Sequence, residues 1–179
     1  DQCWFRENLR AEDFANGESI PTGDGSAFNA AGSAGTPFVA EHTTASAAAV
    51  GLLYNYYAAA DAQNICPTGW HVPLDEEFME MEAFLGMPEG ELELESSNRG
   101  NDELIGPKVR DDVSWDGTNT SGWSGLQGGF IYYSYSPSNV NRAYWWTIGD
   151  DANLDHAWYR EQWSSAEGIA RYQWPKSYA

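Results

Sequence analysis

The chain has 179 residues, 42% hydrophobic and 15% aromatic, enough for one domain with its own core and too apolar for long disorder. Nine Lys and Arg against 27 Asp and Glu leave a formal net charge of −18, a surface that repels nucleic-acid phosphates and anionic membrane. No apolar run approaches membrane-spanning length, so no membrane insertion is expected.

In chain order, residues 2–9 read as a short strand with Trp4 and Leu9 as anchors. Residues 10–48, rich in Gly, Ala, Ser and Thr, read as an irregular connection with an Ala-rich turn or short helix near 45–49. Residues 50–58, Val-Gly-Leu-Leu-Tyr-Asn-Tyr-Tyr-Ala, read as a strand. A turn-rich stretch fixed by Pro67 and Pro73 follows. The clearest helix runs from about 75 to 85, with Phe78, Met81 and Leu85 at helical spacing. Asp75, Glu76 and Glu77 lie in its first turn, where the macrodipole favours acid, and Asp75 is the expected cap. Gly86 and Pro88 stop it, and Glu80 and Glu82 are expected on its solvated side. Residues 89–120 are polar and acidic and read as a loop-rich insertion, with a short helix or strand within 104–110.

From Gly122 onward, short aromatic runs alternate with loops of Ser, Asn, Asp and Gly. Gly122-Trp-Ser-Gly-Leu-Gln-Gly-Gly-Phe-Ile-Tyr-Tyr, Ala143-Tyr-Trp-Trp-Thr and Ala157-Trp-Tyr-Arg each read as strand-like. Tyr, Trp, Ser, Asn and Gly together are the palette of an evolved binding surface. The candidate ligand-binding residues are Tyr133, Tyr135, Asn139, Asn141, Tyr144, Asp150, Asn153, Asp155, Glu161, Trp163, Tyr172 and Trp174. Alternation along strands lets such residues share one exposed face while Trp145, Trp146, Trp158 and Arg160 serve as scaffold. The two cysteines, Cys3 and Cys66, have no zinc spacing and allow either one disulfide or two free thiols. His42, His71 and His156 have no Ser or Cys partner at motif spacing, so no catalytic residue is assigned.

Several segments, in order, resemble the Fibrobacter succinogenes major paralogous (FISUMP) domain. They are Cys3-Trp-Phe-Arg-Glu-Asn-Leu, Leu53-Tyr-Asn-Tyr-Tyr-Ala, Cys66-Pro-Thr-Gly-Trp-His-Val-Pro, Asp75-Glu-Glu-Phe, Ser121-Gly-Trp-Ser-Gly-Leu-Gln-Gly-Gly-Phe, Tyr144-Trp-Trp-Thr and Ala157-Trp-Tyr-Arg. Leu74 departs from the Ser or Thr usual in the family at that place. The resemblance implies an α+β, C-type-lectin-like single domain over 1–179, with small twisted antiparallel sheets and long loops. It implies a secreted, cell-surface or virion-displayed protein. It also implies kinship with the variable proteins of diversity-generating retroelements, in which the C-terminal part of the domain is rewritten at adenines; here residues 132–178 look like such a product, within a C-terminal ligand-binding region of about 122–179.

The expectation is therefore a non-catalytic binding or display protein whose partner is a protein or glycan on another cell or particle. The alternative is a calcium-dependent lectin. Asp150, Asp151, Asn153 and Asp155 carry hard oxygen atoms, but their spacing lacks the Glu and central Gly of an EF-hand loop. Neither lectin-type triplet, Glu-Pro-Asn or Gln-Pro-Asp, occurs, so no metal or cofactor is assigned. Formylglycine-generating enzymes share the broad fold, yet Cys3 and Cys66 both lie far from the region where that reactive pair would stand.

Overall fold

The computed structural model describes residues 2–42, 47–131, 141–149 and 155–178. Among these, four antiparallel strands build the main sheet: β3 (Ser96–Arg99), β4 (Arg142–Trp146), β5 (His156–Trp163) and β6 (Ile169–Pro175), ordered β3-β6-β5-β4. A two-stranded sheet pairs β1 (Val39–Ala40) with β2 (Leu53–Tyr54). The helices are α1 (Gly25–Ala34), α2 (Ala47–Val50), α3 (Tyr56–Ala59), α4 (Asp75–Phe84), α5 (Glu89–Leu92) and α6 (Ile105–Val109). The architecture is α+β.

The register of the main sheet sorts its side chains. Trp146 faces Tyr159, which faces Tyr172; Tyr144 faces Glu161; Arg142 faces Trp163; and Ala157 faces Trp174. These residues share one side, since successive side chains of a strand point to opposite faces. We call it the aromatic face. The other side, the helix face, carries Ala143, Trp145, Trp158, Arg160, Gln162, Ile169 and Arg171.

Helix α4 meets the helix face through charge as well as apolar contact. Phe78 and Met81 are buried, as the spacing predicts, and Leu85 caps the C-terminus half-buried. Two expectations for this helix fail. Asp75 does not cap it: Leu74 holds the N-cap position, with its N–H donating to Glu77 Oε2 at 2.8 Å. That is half a capping box, because Leu74 has no hydroxyl to complete it. Glu82, expected in solvent, is fully buried, because two arginines from distant strands meet it.

Arg160 Nη1 donates to Asp75 Oδ1 at 2.6 Å, and its Nε to Glu82 Oε1 at 2.7 Å. Arg171 Nη2 donates to Asp75 Oδ2 at 2.6 Å, while Arg99 ion-pairs with Glu82 and donates through Nε to Glu91 O at 3.0 Å. Arg171 also lies over the Trp158 ring, 3.5 Å from its centroid. Burial works to raise the Asp75 carboxyl, but Arg171 and Arg160 outweigh it and hold it below the usual carboxylate range.

Other expectations are corrected by packing. Residues 2–9 form no strand: Trp4 packs on Phe78 and Trp123, and Asn8 bonds through its side chain instead of a ladder. Within 10–48 lies a full helix, α1, capped by Asp24 Oδ1 on Ala27 N–H and closed by Gly35 at φ +71°. Its small residues hid it, although Phe28 is buried beneath it. Residues 50–58 give only the two residues of β2 before Asn55 caps α3, its Oδ1 accepting from Ala58 N–H at 3.0 Å. Within residues 89–120 the short element expected over 104–110 is the helix α6, whose Ile105 and Val109 are fully buried beside Ile169, whereas β3 at the sheet edge stands where only loop was expected. Residues 122–131 form no strand, with only Gly125 bridged to Arg110.

Candidate functional site

The aromatic face is a connected array of rings. Tyr144 and Tyr159 have centroids 5.9 Å apart, Tyr159 and Tyr172 are 6.2 Å apart, and Tyr159 and Trp174 are 6.1 Å apart in T-shaped contact. Trp146 stands T-shaped to Tyr159 at 6.0 Å and to Tyr56 at 5.7 Å, and Phe130 extends the array to Tyr144 at 4.7 Å. Offset and edge contacts of this kind stabilise beyond the area they bury. The rings hold one another in place. Tyr159 at the centre is buried; Tyr144, Trp146, Tyr172 and Trp174 around it are half-buried.

At the β4–β5 end the array passes into a polar group. Tyr144 Oη donates to Glu161 Oε1 at 2.7 Å, and Arg142 Nη1 donates to the same oxygen at 3.0 Å. The Arg142 guanidinium lies over the Trp163 ring, 3.7 Å from its centroid. Glu161 is only 6% exposed, whereas Trp163 is 38% exposed. Burial raises the Tyr144 phenol well above its ordinary value, and the hydrogen bond to Glu161 adds to this; burial alone leads the same shift at Tyr159.

The hairpin between β5 and β6 presents Trp163. Two buried side chains from the helix face side fix it. Arg110 Nη1 donates to Trp163 O at 3.0 Å and Ala166 O at 2.6 Å, and Gln162 Nε2 donates to the same carbonyls at 2.9 and 3.2 Å. Gly106 N–H closes on Glu167 O at 2.8 Å.

A cleft of about 730 Å³ runs along β4 and opens onto the aromatic face. Its walls come from residues 2–9, the turn at 65–73, β2 and residues 123–131. Phe5 stacks on Trp70 at 4.2 Å there. A second cavity of about 690 Å³, lined by Glu12, Asp13, Asp24 and Glu41 among others, lies beside α1 away from the aromatic face. No group of three or more His, Cys, Asp or Glu placed to hold a metal ion occurs among the described residues. No helix among them is long and apolar enough to cross a membrane.

Of the twelve residues singled out in the sequence, Tyr144, Glu161, Trp163, Tyr172 and Trp174 lie together on the aromatic face. Asn141 and Asp155 are exposed at the starts of β4 and β5. Tyr133, Tyr135, Asn139, Asp150 and Asn153 lie outside the described residues. Glu161 sits beneath the surface as a buried acceptor, not at it as an exposed side chain. The three tryptophans expected as scaffold, Trp145, Trp146 and Trp158, are all half-buried, and Trp146 belongs to the aromatic face. Two members were missed: Arg142 and Tyr159. Period-two counting puts Tyr159 on the face of Glu161 and Arg142 on the face of Tyr144, so their placement was legible; the contacts of Arg142 with Glu161 and Trp163 on the neighbouring strand were not. Cys3 is exposed and Cys66 buried, both as free thiols, and burial raises the Cys66 thiol.

These features belong to a domain with a rigid sheet and one ring-covered face. The chain is a member of the Fibrobacter succinogenes major domain family, whose model matches residues 1–178. No curated protein and no solved structure matches the chain.

Proposed function

We propose that this protein is a non-catalytic binding module that presents the aromatic face to a macromolecular partner. We read the domain as C-type-lectin-like and displayed outside the cell or on a particle. On this reading its C-terminal region is a variable surface of the kind diversity-generating retroelements rewrite. The observation that carries the reading is the division of labour along β4, β5 and β6. Tyr144, Glu161, Trp163, Tyr172 and Trp174 fall on one side, and the ion-paired Arg160 and Arg171 on the other. Tyr and Trp give large contact area at low entropic cost, and a scaffold locked from behind keeps them in place. Trp, Tyr and Arg are also the residues that dominate interface energetics, and Trp163 and Arg142 stand stacked at the edge of this face.

Deep sequencing of this gene in its source population tests the proposal. The expected result is substitution concentrated at the codons for 133, 135, 139, 141, 144, 150, 153, 155, 161, 163, 172 and 174. Ala143, Arg160, Gln162 and Arg171 should stay constant. Variation spread evenly over both faces of the sheet sinks the display reading. A glycan that binds only with calcium, and is released by chelator, replaces it with the lectin alternative.

A further inference from the structure

The cleft along β4 has ring faces and acceptors to offer, while several of its side-chain donors are already committed. Asn8 Nδ2 donates to Val50 O and Leu126 O, at 2.8 and 3.4 Å. Gln2 Nε2 donates to Glu77 O and Glu80 Oε2, at 3.2 and 2.9 Å. The Tyr54 hydroxyl donates to Ala11 O at 2.9 Å and the Tyr144 hydroxyl to Glu161 at 2.7 Å. The indoles of Trp145 and Trp146 donate to Asn8 Oδ1 and Tyr54 O, at 3.5 and 3.2 Å.

Charge points the same way. Among the described residues three carboxylates line the cleft, Glu7, Glu77 and Glu161, against one guanidinium, Arg142, and one imidazole, His71. Each carboxylate has a partner already: Glu7 pairs with Arg10, Glu77 with His71 and Leu74 N–H, and Glu161 with Tyr144 and Arg142, which also lies over Trp163. A carboxylate offers about four lone-pair sites, so each retains capacity to accept. An anionic ligand would meet no uncommitted guanidinium here and a chain of net charge −18. A guanidinium fits both halves of the lining: it brings about five donors and no acceptor, and its plane stacks on aromatic rings. The fold itself stacks guanidinium on indole, with Arg142 over Trp163 at 3.7 Å and Arg171 over Trp158 at 3.5 Å.

We infer that the cleft receives an arginine-bearing segment of a protein partner. This rests on the reading of the aromatic face as a binding surface and specifies the chemistry of what binds. The acidic surface steers the basic segment in, and the rings and carboxylates of the cleft hold it.

The test uses the whole chain and an oligo-arginine peptide, with an oligo-citrulline peptide and an oligo-glutamate peptide as controls. Binding is read by calorimetry and tryptophan fluorescence at about 150 mM salt, where long-range charge effects are screened beyond about 8 Å. The arginine peptide should bind and both controls should not. Trp174→Ala should weaken binding about tenfold or more, and Trp174→Phe, which keeps a ring, should retain most of it. Glu89→Gln with Glu93→Gln, which removes two exposed charges outside the cleft, should change it by less than about twofold. Two results overturn the inference. One is the absence of arginine-peptide binding; the other is binding that follows the distal charges and ignores Trp174. A neutral oligosaccharide that binds in a Trp174-dependent way, with the arginine peptide inert, overturns the arginine partner and leaves the binding face standing.

Discussion

Arg160 on β5 and Glu82 on α4, 78 residues apart in sequence, form an ion pair with both side chains fully buried. Arg99 joins from β3, so one carboxylate holds two guanidiniums from two strands of the sheet. Asp75, about two turns earlier in the same helix, holds Arg160 again and Arg171 besides. The helix face is therefore clamped by three arginines on two carboxylates. Taking such charges out of water is costly, and only mutual pairing makes the arrangement tolerable.

Glu82→Gln should accordingly be among the most damaging single substitutions in the chain. It preserves shape but, among the described residues, leaves Arg99 without a carboxylate and Arg160 with Asp75 alone. The expected loss is about 3–5 kcal/mol, read as a lowered urea midpoint. Glu80→Gln, two residues away and exposed, is the control and should shift the midpoint little. Equal effects at both positions would mean the cluster does not bear on stability.

The same cluster sets an acid limit. The folded protein holds the Asp75 carboxyl below its ordinary value of 3.8. The unfolded chain then binds the proton more tightly, so this contribution is fully present above pH 3.8 and disappears as pH falls through the lower folded value. The stability profile should be steep on that acid side. Asp75→Asn should flatten the acid limb while lowering stability at neutral pH. An unchanged slope in this variant would show that other carboxylates govern acid unfolding.

Helix α4 and strands β4 and β5 were legible because each has a local signature: acid in a first turn, apolar residues at helical spacing, runs of aromatics. What escaped was whatever depends on a distant partner. Glu82 looks like any glutamate on a helix until Arg99 and Arg160 arrive from the sheet. Strand β6 was not read as a strand, because Arg171 interrupts its apolar pattern; that arginine is buried only because Asp75 and Trp158 receive it. Strand β3 was read as loop for the same reason: its Ser96, Ser97 and Asn98 stand at a sheet edge, where polar residues are at home, and it pairs with β6 through Ser96 and Arg99. Of the binding face, the residue types were legible; their common side became plain only with the register.

Two glycines should respond to alanine with opposite sign. A Cβ at Gly106 would stand 2.6 Å from Gly168 O and 2.7 Å from Ala166 O, both backbone atoms of the hairpin that carries Trp163. Gly106→Ala must push α6 and this hairpin apart and should cost about 1–3 kcal/mol. Gly90, in α5, has open space around it and no left-handed φ. Gly90→Ala should stabilise by about 0.4–1 kcal/mol, since alanine restricts the unfolded chain and favours the helix. Thermal midpoints of the two variants read the contrast directly, and a shared sign refutes it.

The last prediction separates display from support at Trp163. Its ring is 38% exposed and stacked on Arg142, while its backbone carbonyl is gripped by Arg110 and Gln162. The grip is on the main chain, so it survives any side chain at 163. Trp163→Ala should therefore remove the ring and leave the hairpin where it is, at a stability cost of about 1 kcal/mol from the lost cation–π contact. Arg110→Ala should do the reverse. It keeps the ring but takes two hydrogen bonds from the carbonyls of Trp163 and Ala166, and should cost about 1–3 kcal/mol. Amide hydrogen exchange distinguishes the two. Ala166 N–H, which donates to Trp163 O, and Gly106 N–H, which donates to Glu167 O, should exchange faster in Arg110→Ala and at the parent rate in Trp163→Ala. If Trp163→Ala also frees those amides, the ring holds the hairpin in place, and Trp163 belongs to the scaffold instead of the binding face.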